Sequence, residues 1–152
     1  MPQPATTHLG ELERAVMEHL WAHGLAGGGR PLTVREVHKT VGIQRDLAYT
    51  TVMTVLDRLA KKQLVRQERD GRAYRYSPVN TREELTALTM RETLGELEAS
   101  NRKGVMLHFL DAASPQEIDD LKAALAQIEE RAAATSVEPK RTFRSRPSRP
   151  TA

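Results

Sequence analysis

The chain has 152 residues, with 23 Lys+Arg against 20 Asp+Glu, five His and no Cys. That length suits one domain or a small domain with an accessory piece, and 39% apolar with 4% aromatic residues specifies a core built from aliphatics. The lack of Cys excludes disulfides, thiolate catalysis and Cys-ligated metal. No apolar run approaches the ~18–20 residues of a bilayer span, and Met1-Pro2-Gln3-Pro4 has neither the basic nor the apolar region of a secretory signal, so a cytoplasmic location without membrane insertion is expected.

Charge is unevenly placed. Residues 1–80 carry 12 basic and 8 acidic side chains, residues 81–137 carry 6 and 11, and residues 138–152 carry 5 and 1. A basic first half followed by an acidic stretch argues for two roles on one chain. Basic surface attracts polyanions, of which nucleic acid is the commonest in a cytoplasm.

Residues 1–8 read as disordered. Leu9, Leu12, Val16 and Leu20 then recur at helical spacing, with Met17 and Trp21 widening the stripe. Glu11 and Glu13 fall in the first turn, where carboxylates suit the helix dipole. Gly24 ends this helix. Ala26-Gly27-Gly28-Gly29 reads as a linker, because its glycines belong to no phosphate-binding pattern. Pro31-Leu32 is a short extended piece. Thr33-Val34-Arg35-Glu36 is a capping box, and the second helix it opens runs to about Val41, where Gly42 breaks it. A turn around Gly42–Asp46 leads to a third helix over residues 47–62, with Val52, Val55, Leu56 and Leu59 as its apolar stripe. Residues 64–69 and 72–76 are β-prone and flank Asp70-Gly71, which predicts a hairpin with a type I′ turn. Ser77-Pro78 closes the second strand. Helix, short strand, helix, helix, hairpin is the order of a winged helix-turn-helix.

The remainder reads as helices. Thr81-Arg82-Glu83-Glu84 is a second capping box, opening a helix to about Ser100 with Leu85, Leu88, Leu94 and Leu97 available for burial. Val105-Met106-Leu107 and Phe109-Leu110 form a short, very apolar helix. Ser114-Pro115-Gln116-Glu117 is a third capping box, with Pro at the position where its missing amide is not needed; Ile118, Leu121, Leu125 and Ile128 follow at helical spacing. The chain thus divides into a disordered N-terminus (1–8), a winged helix-turn-helix domain (9–80), a helical domain (81–134) and a basic disordered tail (135–152). The fold class is mainly α with a small β-wing.

The third helix is two-faced. At 100° per residue, Val55, Leu56 and Leu59 lie within about 60° of Val52, while Thr50, Thr54, Asp57 and Lys61 lie within about 40° of the opposite side, with Met53 nearby. Short hydroxyl and methyl side chains let a helix sit deep in a major groove, where Thr hydrogen-bonds base edges and Thr and Met methyls meet thymine methyls. Solvent-facing threonines on an amphipathic helix give the same pattern. The surroundings favour DNA: Lys61, Lys62, Arg69, Arg72 and Arg75 follow on the helix end and hairpin, where a winged helix meets phosphates. Asp57 is placed to pair with Lys61 at i+4. Tyr74 and Tyr76 lie on one face of the wing strand, where such a pair more often covers the core edge; stacking on single-stranded nucleic acid is the alternative.

These residues resemble the penicillinase-repressor family, also called the BlaI/MecI/CopY family. The matching stretches are residues 9–17 with Leu20-Trp21, then Thr33-Val34-Arg35-Glu36-Val37. The most specific is Leu47-Ala48-Tyr49-Thr50-Thr51-Val52-Met53-Thr54-Val55-Leu56-Asp57-Arg58-Leu59 with Lys61-Lys62, and Arg72-Ala73-Tyr74-Arg75-Tyr76 completes the wing. The resemblance covers residues 9–130, is strongest over 9–80, and is greatest to the actinobacterial members. It implies a homodimeric repressor whose winged helix binds a palindromic double-stranded operator and whose C-terminal helices form the dimer interface. It maps base reading onto Thr50, Thr51, Met53 and Thr54. With Thr33, Arg35, Arg45 and Tyr49, the five cations of the helix end and hairpin complete the candidate backbone contacts. Some relatives have long basic residues at the positions of Thr50 and Met53, so the operator sequence does not carry over.

The family's signals carry over unevenly. Copper-responsive members use a Cys-x-Cys pair, which a chain without Cys excludes. The β-lactam-responsive members are cut by a sensor protease at an Asn-Phe bond in the dimerisation segment, and the corresponding pair here is His108-Phe109. The tail cations Lys140, Arg141, Arg144, Arg146 and Arg149 are not part of the family pattern.

The expected mechanism is steric repression, with two recognition helices in successive major grooves about one turn apart or more and release by loss of the dimer. Leu85, Leu88, Val105, Leu107, Phe109, Leu110, Leu121, Leu125 and Ile128 are the dimerisation candidates; the alternative for them is a monomeric helical subdomain. Two rival functions stay open: a winged-helix regulator controlled by a small ligand, and a protein-interaction adaptor. No enzyme, cofactor or metal is expected. His8, His23, His38 and His108 are scattered without ligand spacing, and no catalytic constellation stands out.

Overall fold

The structure, a computed structural model, describes residues 8–23 and 30–136. The expectations for residues 1–7, for Gly24 and the glycine linker, and for the tail beyond Ser136 lie outside the described residues. In chain order come α1 (Glu11–His23), β1 (Leu32–Thr33), α2 (Val34–Val37), α3 (Tyr49–Lys61), β2 (Val65–Asp70), β3 (Ala73–Pro78), α4 (Arg82–Gly95), α5 (Ala99–Asp111) and α6 (Pro115–Thr135). By contacts the chain divides into two compact units after Glu98, one helix later than the boundary expected at residue 80. No described helix is long and apolar enough to cross a membrane.

The first unit is organised by aliphatic stripes. α1 buries Val16, Met17 and Leu20, and α3 buries Val52, Val55, Leu56 and Leu59. Each fully buried Val or Leu contributes about 1.5–3 kcal/mol relative to exposure. Val34, Val37, Val41, Leu64 and the sheet residues Leu32, Val65 and Tyr76 close the core. The sheet has the antiparallel order β1-β3-β2, with Leu32 opposite Tyr76 and Gln67 opposite the same Tyr76. The β2–β3 hairpin is the wing.

α4 belongs to this unit because Leu85 is 3% exposed within its core. Leu85 was a dimerisation candidate by its apolar character, but its side chain is already covered within the fold. Trp21 Nε1 donates to the Asn80 carbonyl at 2.9 Å, the Arg82 guanidinium lies 5.7 Å from the Trp21 ring centroid, and Arg82 also pairs with Glu18. These contacts fix the first turn of α4 on α1. All three capping boxes are present, at Thr33/Glu36, Thr81/Glu84 and Ser114/Glu117.

Gly42 does not break the second helix. α2 continues through a π-helical turn, His38–Gly42, into one further helical turn. A Cβ on Gly42 would stand 2.3 Å from His38 Cδ2, so the glycine is required by the close approach of the His38 ring and not as a stop. The hairpin turn also differs. Asp70 pairs with Ala73, which makes Gly71 and Arg72 the central residues, and of these Gly71 alone has positive φ, at 62°. That is the sign pattern of a II′ turn, which takes Gly first. Ser77 and Pro78 lie inside β3. Of the tyrosine pair, Tyr76 is buried and Tyr74 is exposed, because the hairpin carries Tyr74 beyond the core edge.

The expected helix to Ser100 stops at Gly95, a residue with little helix propensity. The expected short helix is the second half of the 13-residue α5, whose polar first half has no apolar period to reveal it. In the second unit α5 and α6 have no buried residue among those described.

Candidate nucleic-acid interface

α3 enters the site without a side-chain cap. Its N-cap is Ala48, and the capping boxes of α2, α4 and α6 have no counterpart there. The turn before it passes through Asp46 at φ 53°, a conformation Asp tolerates. His38 Nε2 bonds the Leu47 carbonyl at 2.9 Å, and the His38 ring meets Tyr49 edge-on at 5.7 Å between centroids. The start of α3 is thereby fixed to α2. Its end is closed by Gln63 at φ 61°, with the Gln63 amide on the Ala60 carbonyl at 3.0 Å and the Leu64 amide on the Leu59 carbonyl at 3.0 Å, a Schellman closure.

With Val52, Val55, Leu56 and Leu59 turned inward, α3 exposes Thr50, Met53 and Thr54, while Thr51 is half-buried. Thr54 Oγ1 donates to the Thr50 carbonyl at 2.9 Å. Its proton is therefore committed to the helix, and outward it offers oxygen lone pairs and a methyl group. Asp57 pairs with Lys61 at 3.0 Å. Both are largely exposed, and such a pair is worth little in water, so Lys61 stays available to a stronger anion.

The expected phosphate-contacting residues separate into two groups. Arg35 and Arg72 are exposed, and Arg69, also exposed, makes one bond to the Gly71 carbonyl at 3.2 Å. Arg45 pairs with exposed Glu11 at 3.0 Å, and Tyr49 is 46% exposed at the start of α3. Lys62, Arg75 and Thr33 are half-buried and each has partners within the fold. Lys62 Nζ lies 2.8 Å from Glu13 Oε2. Arg75 Nε donates to Asp70 Oδ2 at 2.6 Å, and its Nη1 donates to the Pro31 carbonyl at 3.3 Å and faces Glu36 at 3.8 Å. The Thr33 hydroxyl and amide both serve Glu36. The Thr33 amide, 2.8 Å from the Glu36 carboxylate, together with Arg30 and the Thr33 hydroxyl holds that carboxyl down to about 2 against the opposing effect of burial. Arg58 on α3 and Arg66 on β2 are exposed as well. The sequence reading does not single them out, although Arg66, which begins the charged run of β2, carries a visible signal.

Among the described residues no group of three or more His, Asp or Glu is placed to hold a metal. On the second unit, Val105, Leu107, Phe109, Leu121, Leu125 and Ile128 are each more than 40% exposed, as is Leu88 on α4, while Leu110 is half-buried. His108 is exposed, and the His108–Phe109 bond lies within α5.

A helix-turn-helix backed by a three-stranded sheet with a basic hairpin defines a winged-helix DNA-binding protein. The family model for the penicillinase repressor matches residues 9–127. The chain is 52% identical over 124 residues to "Transcriptional regulator BlaI" of Mycobacterium tuberculosis, in strains CDC 1551 / Oshkosh and H37Rv alike, an alignment covering 81% of this chain and 86% of each relative. This chain therefore belongs to the penicillinase repressor family: it is a non-enzymatic, BlaI-like transcriptional repressor with a DNA-binding winged-helix domain. Among solved structures it is similar to the DNA-binding domain of the repressor BlaI, at TM-score 0.44 and 24% identity over 52% of this chain and 89% of that one. It is also similar to MepR, a transcription regulator of the Staphylococcus aureus multidrug efflux pump MepA, at TM-score 0.40 and 18% identity over 82% of this chain and 80% of that one.

Proposed function

We propose that the protein represses transcription as a homodimer on a palindromic operator, reading bases with Thr50, Thr51, Met53 and Thr54. The observation that carries this is the exposed face of α3, where short hydroxyl and thioether side chains stand over an apolar core, in the same unit as the exposed Arg69 and Arg72 of the wing. Thr54, its proton committed to Thr50, accepts from an adenine or cytosine amino group or packs its methyl on thymine. The amides at the start of α3, which no side chain caps, donate to a phosphate oxygen. Arg35, Lys61, Arg69 and Arg72 supply the sequence-independent attraction.

Dimerisation is assigned to the second unit. Two helices without a buried residue cannot offset their own conformational entropy, and their apolar side chains need a cover that a second copy supplies. A single half-site binds weakly, so losing the dimer releases DNA without altering any base contact. In this reading the inducing signal, such as a β-lactam, acts through a sensor protease that cuts His108–Phe109. α5 crosses that bond as continuous helix, so cleavage follows local unwinding.

The test is selection of bound duplexes from a randomised pool by the full-length protein, followed by footprinting. The expected result is an inverted repeat with half-site centres about one or two helical turns apart. Enrichment of a single, non-repeated site, or of no sequence at all, would contradict the proposal.

A further inference from the structure

Glu13 is the single buried charged residue among those described, 9% exposed at the start of α1. Its Oε2 accepts from the Gly10 amide at 2.9 Å and from Lys62 Nζ at 2.8 Å. Lys62, the C-cap of α3, also donates to the His8 carbonyl at 3.3 Å. Two of its three ammonium protons are thus held by α1 and the segment before it. Burial pushes the Glu13 carboxyl up, but the bonds from Lys62 and the Gly10 amide and the charges of Lys62 and Arg58 keep it below the usual carboxylate range. It is ionised wherever the protein works.

The buried face of α3 is Val52, Val55, Leu56 and Leu59, and apolar burial carries no directional bond. Direction comes from the polar ties at its two ends: His38 on the Leu47 carbonyl at the start, and Glu13 on Lys62 at the end. Lys62 lies about 18 Å along the helix from Thr50, at 1.5 Å per residue. A tilt of about 5° at Lys62 moves Thr50 by about 1.5 Å, enough to break a hydrogen bond to a base edge.

We propose that Glu13 and Lys62 are positioning residues for operator recognition: the pair latches the end of α3 to α1 and sets the angle at which the helix presents Thr50, Met53 and Thr54, and Lys62 makes no phosphate contact. This rests on α3 being the base-reading helix. A phosphate-binding Lys62 and a latching Lys62 predict opposite results for Glu13. If electrostatic attraction were the role, neutralising a carboxylate on a DNA-binding surface would strengthen binding; a latch predicts weaker binding.

The experiment uses the full-length protein and Glu13→Gln, Lys62→Met and the double variant, which leaves no charge unpaired. Binding is read by fluorescence anisotropy on a duplex selected from a random pool and on its scrambled counterpart, from 50 to 200 mM salt, with thermal melting as the control for folding. Each single variant is expected to weaken binding to the selected duplex by about tenfold, with the double no worse than the singles. Affinity for the scrambled duplex and the slope of log K against log salt stay unchanged. The latch is overturned if Glu13→Gln binds as tightly as or more tightly than the unaltered protein, or if Lys62→Met lowers the salt slope by about 2 per dimer, the signature of one lost phosphate contact per protomer. Failure of the base-reading assignment shows differently: the unaltered protein would bind selected and scrambled duplexes alike.

Discussion

The Thr54 hydroxyl is committed to the Thr50 carbonyl, so what it would offer DNA in the proposed complex is an acceptor and a methyl. Thr54→Ala removes the acceptor and shortens the reach toward thymine. Its expected cost is about 1 kcal/mol per half-site, and so more than tenfold for a symmetric dimer on a selected operator, with scrambled DNA bound as before; equal losses on both duplexes would show that Thr54 reads no base. Arg72 belongs to the opposite category. It is exposed at the tip of the wing, and Arg72→Ala is expected to weaken binding to every sequence and to lower the salt slope by about 2 per dimer. An unchanged slope would remove Arg72 from the phosphate contacts. Glu36 makes a statement about pH. Its carboxyl titrates at about 2 in the fold against an ordinary value of 4.5. Because the folded value is the lower one, the ionised form stabilises the protein above about pH 4.5, and that contribution is lost as pH falls toward 2. Glu36→Gln keeps the capping-box geometry without the titration. Melting temperature should therefore fall less between pH 4.5 and pH 2 in the variant than in the unaltered protein; parallel curves would show that other groups carry the acid sensitivity.

At the scale of elements, the helix-turn-helix depends on the fit of His38 against Gly42. A methyl at Gly42 meets the His38 ring, which is held by the Leu47 carbonyl and Tyr49. Gly42→Ala should cost about 1–3 kcal/mol, as overpacking does, and should cost less when His38 is already Ala, because the clash is with that ring. Equal costs in both backgrounds, read by denaturant unfolding, would place the strain elsewhere. The same residue shows where sequence reasoning stops. Capping boxes, the α1 and α3 stripes and the i+4 pair of Asp57 with Lys61 are local patterns, and each is in the structure. Gly42 is ambiguous because a glycine that stops a helix and one that makes room for a neighbouring ring look identical in one dimension. The end of α3 is closed by Gln63 in a conformation that usually takes Gly, so no capping residue marks it, although the expected end at residue 62 falls within one residue of Lys61. The partners of Lys62 and Arg75, 49 and 5 residues away in the chain, are not visible in one dimension. Leu85 and Leu88 have the same apolar character, and only packing separates the core residue from the exposed one.

At the scale of the molecule, the two units are stabilised differently. The first has a continuous apolar core that includes Leu85 of α4. The second presents Val105, Leu107, Phe109, Leu121, Leu125 and Ile128 without burying any of them, a pattern that marks an association surface. In the proposed dimer recognition is separate from release: α3 would hold the sequence information, and the α5–α6 surface would supply the effective concentration that makes two weak half-sites into one tight operator complex. Under that proposal, any event that removes the surface would empty the operator and leave α3 intact. Sedimentation equilibrium of the full-length protein beside Leu121→Asp/Leu125→Asp tests this most directly. The unaltered chain is expected to be a dimer, and the variant a monomer with its winged helix still folded. A monomeric unaltered protein, or a variant that remains dimeric, would contradict it.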